Sequence, residues 1–115
     1  MEMNEELLAR LTAEKKILSL LGLAEKAGYL GSGEFSTEKA VKEGEAALVI
    51  VAADASDNTQ KQFRNMCEYY KVPFHCFAAK DTLGHAIGKE FRASVAVKDA
   101  GMAKAMEKHL RVLEM

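Results

Sequence analysis

The run Ala46-Ala-Leu-Val-Ile-Val-Ala-Ala53 is apolar at every position and β-branched at its centre. A strand of this kind has no polar face, and such strands occur in sheets that helices cover on both sides. Segments with helical apolar periodicity stand before and after this run. We therefore predict an α/β fold, a three-layer α/β/α sandwich with a small mixed sheet of about four strands.

Toward the N-terminus, the sequence predicts a long helix, a very short strand and a short helix. Residues 4–27 form the long helix, with Asn4 as its N-cap. Residues 29–30 form the strand, and Ser36 caps a helix that runs to residue 43. The apolar stripe of the long helix consists of Leu7, Leu11, Leu18, Leu21 and Ala24.

Toward the C-terminus, helices and strands continue to alternate. Pro73 prevents the third helix from continuing into the next strand. The predicted order is a polar capping loop at 54–58, a helix carrying Phe63, Met66, Cys67 and Tyr70 on one face, a strand at 74–77, a short helix capped by Asp81 and running to Ile87, a strand at 93–97, and a last helix from Asp99.

The length and composition are those of one globular domain. At 115 residues the chain is long enough to bury one core, and we predict that residues 1–115 form a single domain. Its apolar runs are far shorter than the ~20 residues of a membrane-spanning helix. The acidic start, Met1-Glu-Met-Asn-Glu-Glu6, lacks the pattern of a secretory signal. No membrane association and a cytoplasmic location are therefore expected.

The net charge bears on the strength of nucleic-acid binding, and the cysteines bear on the redox state of the protein. Sixteen basic and seventeen acidic residues give a formal net charge of −1, so the chain lacks the strongly basic footprint of many nucleic-acid binders. Because phosphate neutralisation supplies most non-specific affinity, RNA binding is expected to be weaker than in a basic relative. Cys67 and Cys76 are expected to be buried, reduced thiols.

The histidines predict neither a metal site nor a catalytic site. His75 and Cys76 are neighbours on a strand, so their side chains point to opposite faces. His85 and His109 fall in other elements, and a zinc site needs about four convergent ligands. No catalytic residue, metal or cofactor is therefore predicted.

Two glycine-containing segments are the candidate functional surface. The first glycine segment is Gly31-Ser-Gly-Glu-Phe-Ser-Thr-Glu-Lys39, and the second glycine segment is Lys80-Asp-Thr-Leu-Gly-His-Ala-Ile-Gly-Lys-Glu-Phe-Arg92. Glycine lets a backbone approach a ligand closely, and a helix N-terminus attracts phosphate. A flexible turn followed by a cap also explains the first segment. Composition favours a core position for Phe91, with an exposed aromatic that stacks on an unpaired base as the alternative.

Five motifs follow one another along the chain: Leu20-Leu-Gly-Leu-Ala-Glu-Lys-Ala-Gly-Tyr-Leu-Gly-Ser-Gly-Glu34, Lys39-Ala-Val-Lys-Glu-Gly44, Leu48-Val-Ile-Val-Ala-Ala-Asp-Ala-Ser-Asp-Asn-Thr59, Tyr69-Tyr-Lys-Val-Pro73 and Leu83-Gly-His-Ala-Ile-Gly-Lys89. In this order they resemble the L7Ae/L30e superfamily of kink-turn-binding ribosomal proteins, with most similarity to the small bacterial YlxQ-type members. The resemblance covers roughly residues 15–110.

The resemblance implies a three-layer α/β/α fold and binding of kink-turns, which are sharply bent RNA motifs with sheared G·A pairs. In the family, an Asn-Glu pair and a lysine three residues after the Glu read these bases. Lys39 matches the lysine, whereas Phe35 and Ser36 stand at the Asn and Glu positions. Using the adjacent Glu34 would require a register change. The stretch Lys89-Glu-Phe91 corresponds to the family's apolar contact with a flipped-out nucleotide.

We therefore predict a non-enzymatic RNA-binding protein that recognises structured, kink-turn-like RNA in a ribosomal or translation context. Ribosomal RNA is one candidate partner, and a protein associated with the ribosome, translation or transcription is another. The candidate RNA-binding residues are Gly31, Ser32, Gly33, Glu34, Phe35, Ser36, Lys39, Lys42, Asp54, Lys89, Phe91 and Arg92.

Two other functions stay open at this point. The first is a protein–protein interaction module that keeps the fold but has lost kink-turn reading, with an exposed Phe35 as its interface anchor. The second is a small-molecule or enzyme site near the glycine segments.

Overall fold

The sheet contains four short strands, and helices cover both of its faces. A computed structural model describes residues 4–115. Within this range the elements are α1 (Glu5–Lys26), β1 (Leu30–Ser32), α2 (Glu34–Lys42), β2 (Leu48–Val51), α3 (Asp57–Tyr70), β3 (Phe74–Cys76), α4 (Lys80–Ala86), β4 (Ser94–Val97) and α5 (Ala100–Glu114).

The strand order is β1-β4-β2-β3, and the sheet is mixed as predicted. β2 and β3 are parallel, whereas β4 is antiparallel to both β1 and β2. Every residue of β2 and β4 is buried, because α3 packs against β2 while α2 and α5 pack against β4. The predicted α/β/α sandwich is confirmed, and the apolar run at 46–53 supplies a central strand.

The strand directions bring four connections to one edge of the sheet. β1, β2 and β3 end where β4 begins. The connections leading into α2, α3 and α4, and the one leading from α4 into β4, therefore lie together at this edge. We call it the loop edge, and both glycine segments contribute to it.

The N-cap predicted for α1 is confirmed, and Asp99, where the last helix was predicted to begin, is the N-cap of α5. Asn4 Oδ1 accepts a hydrogen bond from the Leu7 N–H at 2.7 Å. Asp99 Oδ2 accepts one from the Met102 N–H at 2.8 Å. In the polar loop at 54–58, the residue that caps α3 is Ser56.

The prediction that Ser36 caps α2 is wrong. The helix begins at Glu34, and Gly33 is the N-cap with a φ of 91°. The carbonyl of Gly33 accepts the first helical bond from Thr37 N–H at 3.0 Å. A positive φ is open to glycine, so the chain turns into the helix three residues earlier than a cap at Ser36 would allow. Ser36 therefore lies inside the first turn.

The prediction that Asp81 caps α4 is also wrong, because α4 begins two residues earlier than a cap at Asp81 would place it. Its N-cap is Ala79, which has no side-chain acceptor. The acceptor comes instead from another loop, since Asp54 Oδ1 accepts the Lys80 N–H at 2.9 Å. Asp81 accepts a bond from its neighbour Thr82 N–H at 2.7 Å.

The apolar stripe predicted for α1 is only partly buried. The buried residues of α1 begin at Ala13 and include Leu21 and Ala24. Leu7 and Leu11 of the predicted stripe are exposed. An amphipathic pattern predicts which side of a helix is apolar, but it does not state how far the neighbouring elements extend along that side.

The two cysteines have different environments. Cys67 is buried as predicted, and burial raises the pKa of its thiol to about 11. Cys76 is exposed, so its prediction is wrong. It is the last residue of β3, which lies at the edge of the sheet, and its Sγ–H donates to Gln60 Oε1 at 3.6 Å.

Candidate nucleic-acid interface

The two glycine segments are joined directly at the loop edge. Arg92 Nε donates a hydrogen bond to Ser32 Oγ at 3.2 Å. The Gly33 N–H donates to the carbonyl of Ser94 at 2.9 Å. Because β1 pairs with β4, the end of the first strand and the start of the last strand lie side by side. Candidate residues that are far apart in the sequence therefore form one surface.

Glycine is required in the first segment for packing as well as for turning. Gly31 is buried, and a Cβ at this position would lie 3.2 Å from the carbonyl oxygen of Ser36. This contact lets α2 pack closely against β1. Gly33, with its positive φ, directs the chain into α2.

The exposed face of α2 presents an aromatic ring and a cation together. Phe35 is 78% exposed, and Lys39 is also exposed. They are four residues apart and are therefore neighbours on the helix surface. Ser36 is half-buried. Glu34 is exposed but lies five residues from Lys39, which places it about 140° away around the helix.

A groove of about 550 Å³ runs beside α2. Four of its lining residues are cations, namely Lys39, Lys89, Arg92 and Lys98. Lys98 Nζ lies 3.6 Å from Glu45 Oε2. Across residues 4–115, the other three cations have no carboxylate within salt-bridge distance. The groove is also lined by Glu25, Glu43 and Glu45, so carboxylates offset part of its positive charge.

The guanidinium of Arg92 is held in place by its neighbours. In addition to its bond with Ser32, Arg92 Nη1 donates to the carbonyl of Phe91 at 2.7 Å. Its backbone N–H donates to the carbonyl of Lys80 at 3.0 Å. A guanidinium has five N–H donors, and the remaining ones are available for a phosphate.

The second glycine segment folds back onto α4 because Gly84 has no side chain. A Cβ at Gly84 would lie 2.6 Å from the carbonyl oxygen of Glu90, and the Lys89 N–H donates to the Gly84 carbonyl at 2.8 Å. Phe91 is 60% exposed. The core position that composition favours is therefore wrong, and Phe91 is an exposed aromatic at the loop edge.

Two other candidates are engaged in intramolecular contacts. Asp54 uses one carboxylate oxygen to fix the start of α4, so it shapes the loop edge. Lys42 lies 2.7 Å from Glu38. The hydrogen bond and the charge of Glu38 raise the pKa of Lys42. A phosphate must therefore compete with Glu38 for Lys42, whereas Lys39 has no such competitor in the described chain.

His75 makes its polar contacts with α5. His75 Nε2 is 3.3 Å from Glu107 Oε2, and its Nδ1 is 2.5 Å from Glu114 Oε1. These contacts tie β3 to α5. Among residues 4–115, no group of three His, Cys, Asp or Glu side chains is placed to hold a metal ion. In the same range, no helix is both long and apolar enough to span a membrane.

Three exposed or groove-lining residues were not among the candidates from the sequence: Lys98, and the neighbouring tyrosines Tyr69 and Tyr70. Lys98 directly follows β4 and lines the groove. Both tyrosines are exposed at the end of α3. The signal for the tyrosines was present, because two bulky aromatics in succession cannot both lie on the buried face of one helix.

Comparison with known proteins identifies relatives over most of the chain. Residues 15–107 match the model of the ribosomal protein L7Ae/L30e/S12e/Gadd45 family. The chain is 44% identical over 87 residues to the RNA-binding protein YlxQ of Bacillus subtilis. The aligned region covers 76% of this chain and 87% of YlxQ. The large ribosomal subunit protein eL8 of Picrophilus torridus is 32% identical over 91 residues, covering 78% of this chain and 72% of that protein.

Solved structures with the same fold include two that align over most of their length. A Bacillus halodurans C protein of unknown function has a TM-score of 0.81 and 40% sequence identity, covering 84% of this chain and 97% of the other. The 15.5 kD RNA-binding protein of Giardia lamblia has a TM-score of 0.71 and 25% identity, covering 97% of this chain and 91% of the other.

Proposed function

Because the chain belongs to the ribosomal protein L7Ae/L30e/S12e/Gadd45 family, we propose that it is a non-enzymatic RNA-binding protein that recognises structured, kink-turn-like RNA in a ribosomal or translation context. Two relatives, YlxQ and the Giardia 15.5 kD protein, are RNA-binding proteins by name. A third relative is a component of the large ribosomal subunit.

One observation carries this proposal: three cations that have no carboxylate partner within residues 4–115 converge beside two exposed aromatic rings. Lys39, Lys89 and Arg92 line one groove. Phe35 projects from α2, and Phe91 projects from the second glycine segment next to Arg92. Phosphate contacts position an RNA on a protein, and unpaired bases stack on aromatic side chains. The loop edge provides both kinds of contact.

Each side chain has a distinct proposed role. Lys39 contacts a guanine edge or a phosphate, and the unpaired N–H groups of the first turn of α2 attract a phosphate. Lys89 and Arg92 hold the RNA backbone, and Phe91 stacks on an unstacked base. Gly31 and Gly33 set the close packing and the turn on which α2 depends.

Base reading in the first glycine segment differs from the Asn-Glu arrangement. Ser36 is three residues from Lys39 and lies beside it, but its hydroxyl reaches less far than a carboxylate. Phe35 presents a ring in place of an amide edge. Glu34 lies about 140° from Lys39 around the helix and so faces a different part of the RNA. Recognition therefore depends mainly on Lys39 and on RNA shape.

A titration of kink-turn RNA at low salt tests this function. The parent protein should bind, and Lys39→Glu should lose binding because it places a carboxylate in the groove. Lys104→Glu is the matched control, since Lys104 is exposed on α5. It should bind like the parent. Unchanged affinity of Lys39→Glu, or absence of binding by the parent, would contradict the proposal.

A second candidate function is a protein-interaction module. The exposure of Phe35 and Phe91 on one surface favours it, because aromatic anchors often dominate protein interfaces. Affinity capture from cells with and without ribonuclease separates the two functions. A partner that is retained after complete RNA digestion, and that is lost from Phe35→Ala, supports this second candidate.

A further inference from the structure

The end of α3 carries an exposed pair of tyrosines. Tyr69 is 79% exposed and Tyr70 is 41% exposed. Their ring centroids are 4.9 Å apart, and the rings meet edge to face at 75°. Edge-to-face packing is a favourable arrangement that holds both rings in place. The ring of Tyr69 is therefore an accessible flat surface.

This pair is connected to the RNA-facing helix through Lys42. Lys42 follows Lys39 by three residues, so the two ammonium groups are about one turn apart on α2. α2 packs against α3. Tyr70 also affects Lys42: the pKa of Lys42 is raised first by Glu38, and Tyr70 adds to the shift in the same direction. The tyrosines therefore continue the surface that begins at the first glycine segment.

The rest of this face of α3 consists of amides. Asn58, Gln62, Asn65 and Tyr69 are spaced four, three and four residues apart, so they form one row along the helix. All four are exposed. An amide side chain both donates and accepts hydrogen bonds. The row therefore offers polar contacts of both kinds and ends in an aromatic ring.

We propose that the α3 surface, made of Lys42, Tyr69, Tyr70 and the amide row, binds an unpaired stretch of RNA that continues from the structured RNA at the loop edge. Tyr69 stacks on one base, and the amides bond to base edges or sugars. Lys42 exchanges Glu38 for a phosphate. This inference rests on the proposed function, because the first glycine segment must position the RNA.

The chemistry of the surface favours single-stranded RNA over an apolar protein segment. Single-strand binding sites combine a basic track with aromatic rings on which bases stack. Here the exposed apolar area is confined to two rings with polar tips. The amide row and Lys42 lie beside them, together with the carboxylates of Glu38 and Glu68. The Lys42–Glu38 pair is at the surface, where an ion pair contributes little and a phosphate displaces it readily. The start of α2 and Lys42 are about 13 Å apart along the helix, a distance that a few nucleotides span.

Two RNAs that differ only in an unpaired extension test the inference. One is a blunt-ended kink-turn duplex. The other carries a single-stranded extension of about six nucleotides, and it is made in two versions, one for each end of the duplex. The parent should bind one extended RNA more tightly than the blunt RNA. Tyr69→Ala should reduce that advantage by about 5- to 100-fold, the range that loss of one base stack produces. Its affinity for the blunt RNA should not change.

Two variants make the test specific. Tyr69→Phe keeps the ring and should behave like the parent, whereas Lys39→Glu should weaken binding to both RNAs. Because Tyr69 is so exposed, Tyr69→Ala should retain the circular dichroism spectrum and the unfolding midpoint of the parent. Equal affinity of the parent for blunt and extended RNAs, or an extension advantage that survives Tyr69→Ala, would overturn the inference.

Failure of the proposed function gives a different pattern. In that case the parent binds no structured RNA, and the α3 surface is then tested alone by irradiating the protein with a 4-thiouridine oligonucleotide. A crosslink to the peptide that contains Tyr69, lost in Tyr69→Ala, supports the surface. A crosslink elsewhere, or none, overturns it.

Discussion

Arg92 Nε donates a hydrogen bond to Ser32 Oγ at 3.2 Å, although 60 residues separate them in the sequence. This bond connects the two glycine segments and fixes the guanidinium at the mouth of the groove. Neither segment alone provides three unpaired cations and two aromatic rings. The arrangement at the loop edge therefore depends on how the β1–β4 pairing places the segments together.

Removal of the Ser32 hydroxyl should loosen this arrangement. Ser32→Ala is expected to weaken RNA binding several-fold because Arg92 loses one of its fixed contacts. Its cost in unfolding free energy should be small, about 0.5–1.5 kcal/mol, as for one partly exposed hydrogen bond. RNA titration and urea unfolding measure the two effects. A variant that binds as the parent does would show that Arg92 needs no support from Ser32.

Gly84→Ala should destabilise the protein by about 1–3 kcal/mol, since the new Cβ would overlap the carbonyl of Glu90 and the fold must shift to admit it. The cost should appear as a lower urea midpoint and should be accompanied by weaker RNA binding. Gly101→Ala is the comparison, because its nearest contact is the end of the Asp99 side chain and alanine favours a helix. If both variants unfold alike, the close packing at Gly84 has no energetic consequence.

Lys39 and Lys42 should differ in the salt dependence of RNA binding. Each phosphate contact contributes about one unit to the slope of log affinity against log salt concentration. Lys39→Gln should reduce the slope by about one unit, whereas Lys42→Gln should change it less on a blunt kink-turn, because Lys42 is paired with Glu38. Titrations at several salt concentrations give both slopes. Equal slopes for the two variants would contradict the distinction between a free and a paired lysine.

The two cysteines should react at different rates. Burial raises the pKa of the Cys67 thiol from 9.0 to about 11, so at pH 8 it should remain a protected thiol in the folded protein. Exposed Cys76 should be alkylated first by iodoacetamide, and both should react in denaturant. Mass spectrometry of the alkylated peptides identifies the order, and faster labelling of Cys67 in the folded state would contradict it.

The same shift predicts a loss of stability at alkaline pH. An unfolded chain releases the Cys67 proton near pH 9.0, whereas the folded chain keeps it until about pH 11. The unfolding free energy should therefore decrease as pH rises above 9. Cys67→Ala should show a smaller decrease between pH 8 and 10 in urea unfolding, whatever its stability at neutral pH.

The fold was accessible from the sequence because its signals are local. The apolar run at 46–53, the cap Asn4 and Pro73 each act within a few residues of the feature that they predict. The start of α2 was misplaced because Gly33 took the cap position from Ser36 through a backbone angle. The acceptor at the start of α4 was missed because it comes from Asp54, which is distant in the sequence. That residues 1–115 form one domain stays a prediction.

The sequence predicted which residues belong to the site, but not which of its lysines are paired with carboxylates. Sequence order identified both glycine segments, and the structure places them side by side. Which lysine is free and which is paired depends on side-chain geometry, so Lys39 and Lys42 could not be told apart beforehand. Phe91 could not be assigned to core or surface from composition, because its position depends on how Gly84 folds the second segment back.

Backbone amide NMR locates bound RNA residue by residue and so shows whether the loop edge binds structured RNA. A kink-turn RNA is added to the ¹⁵N-labelled protein, with an unkinked duplex of the same composition as the control. The largest chemical-shift changes should fall at residues 31–39 and 87–92. The kink-turn RNA should produce them at a lower concentration than the unkinked duplex. Shifts concentrated on α1 and α5, or none with either RNA, would contradict the account.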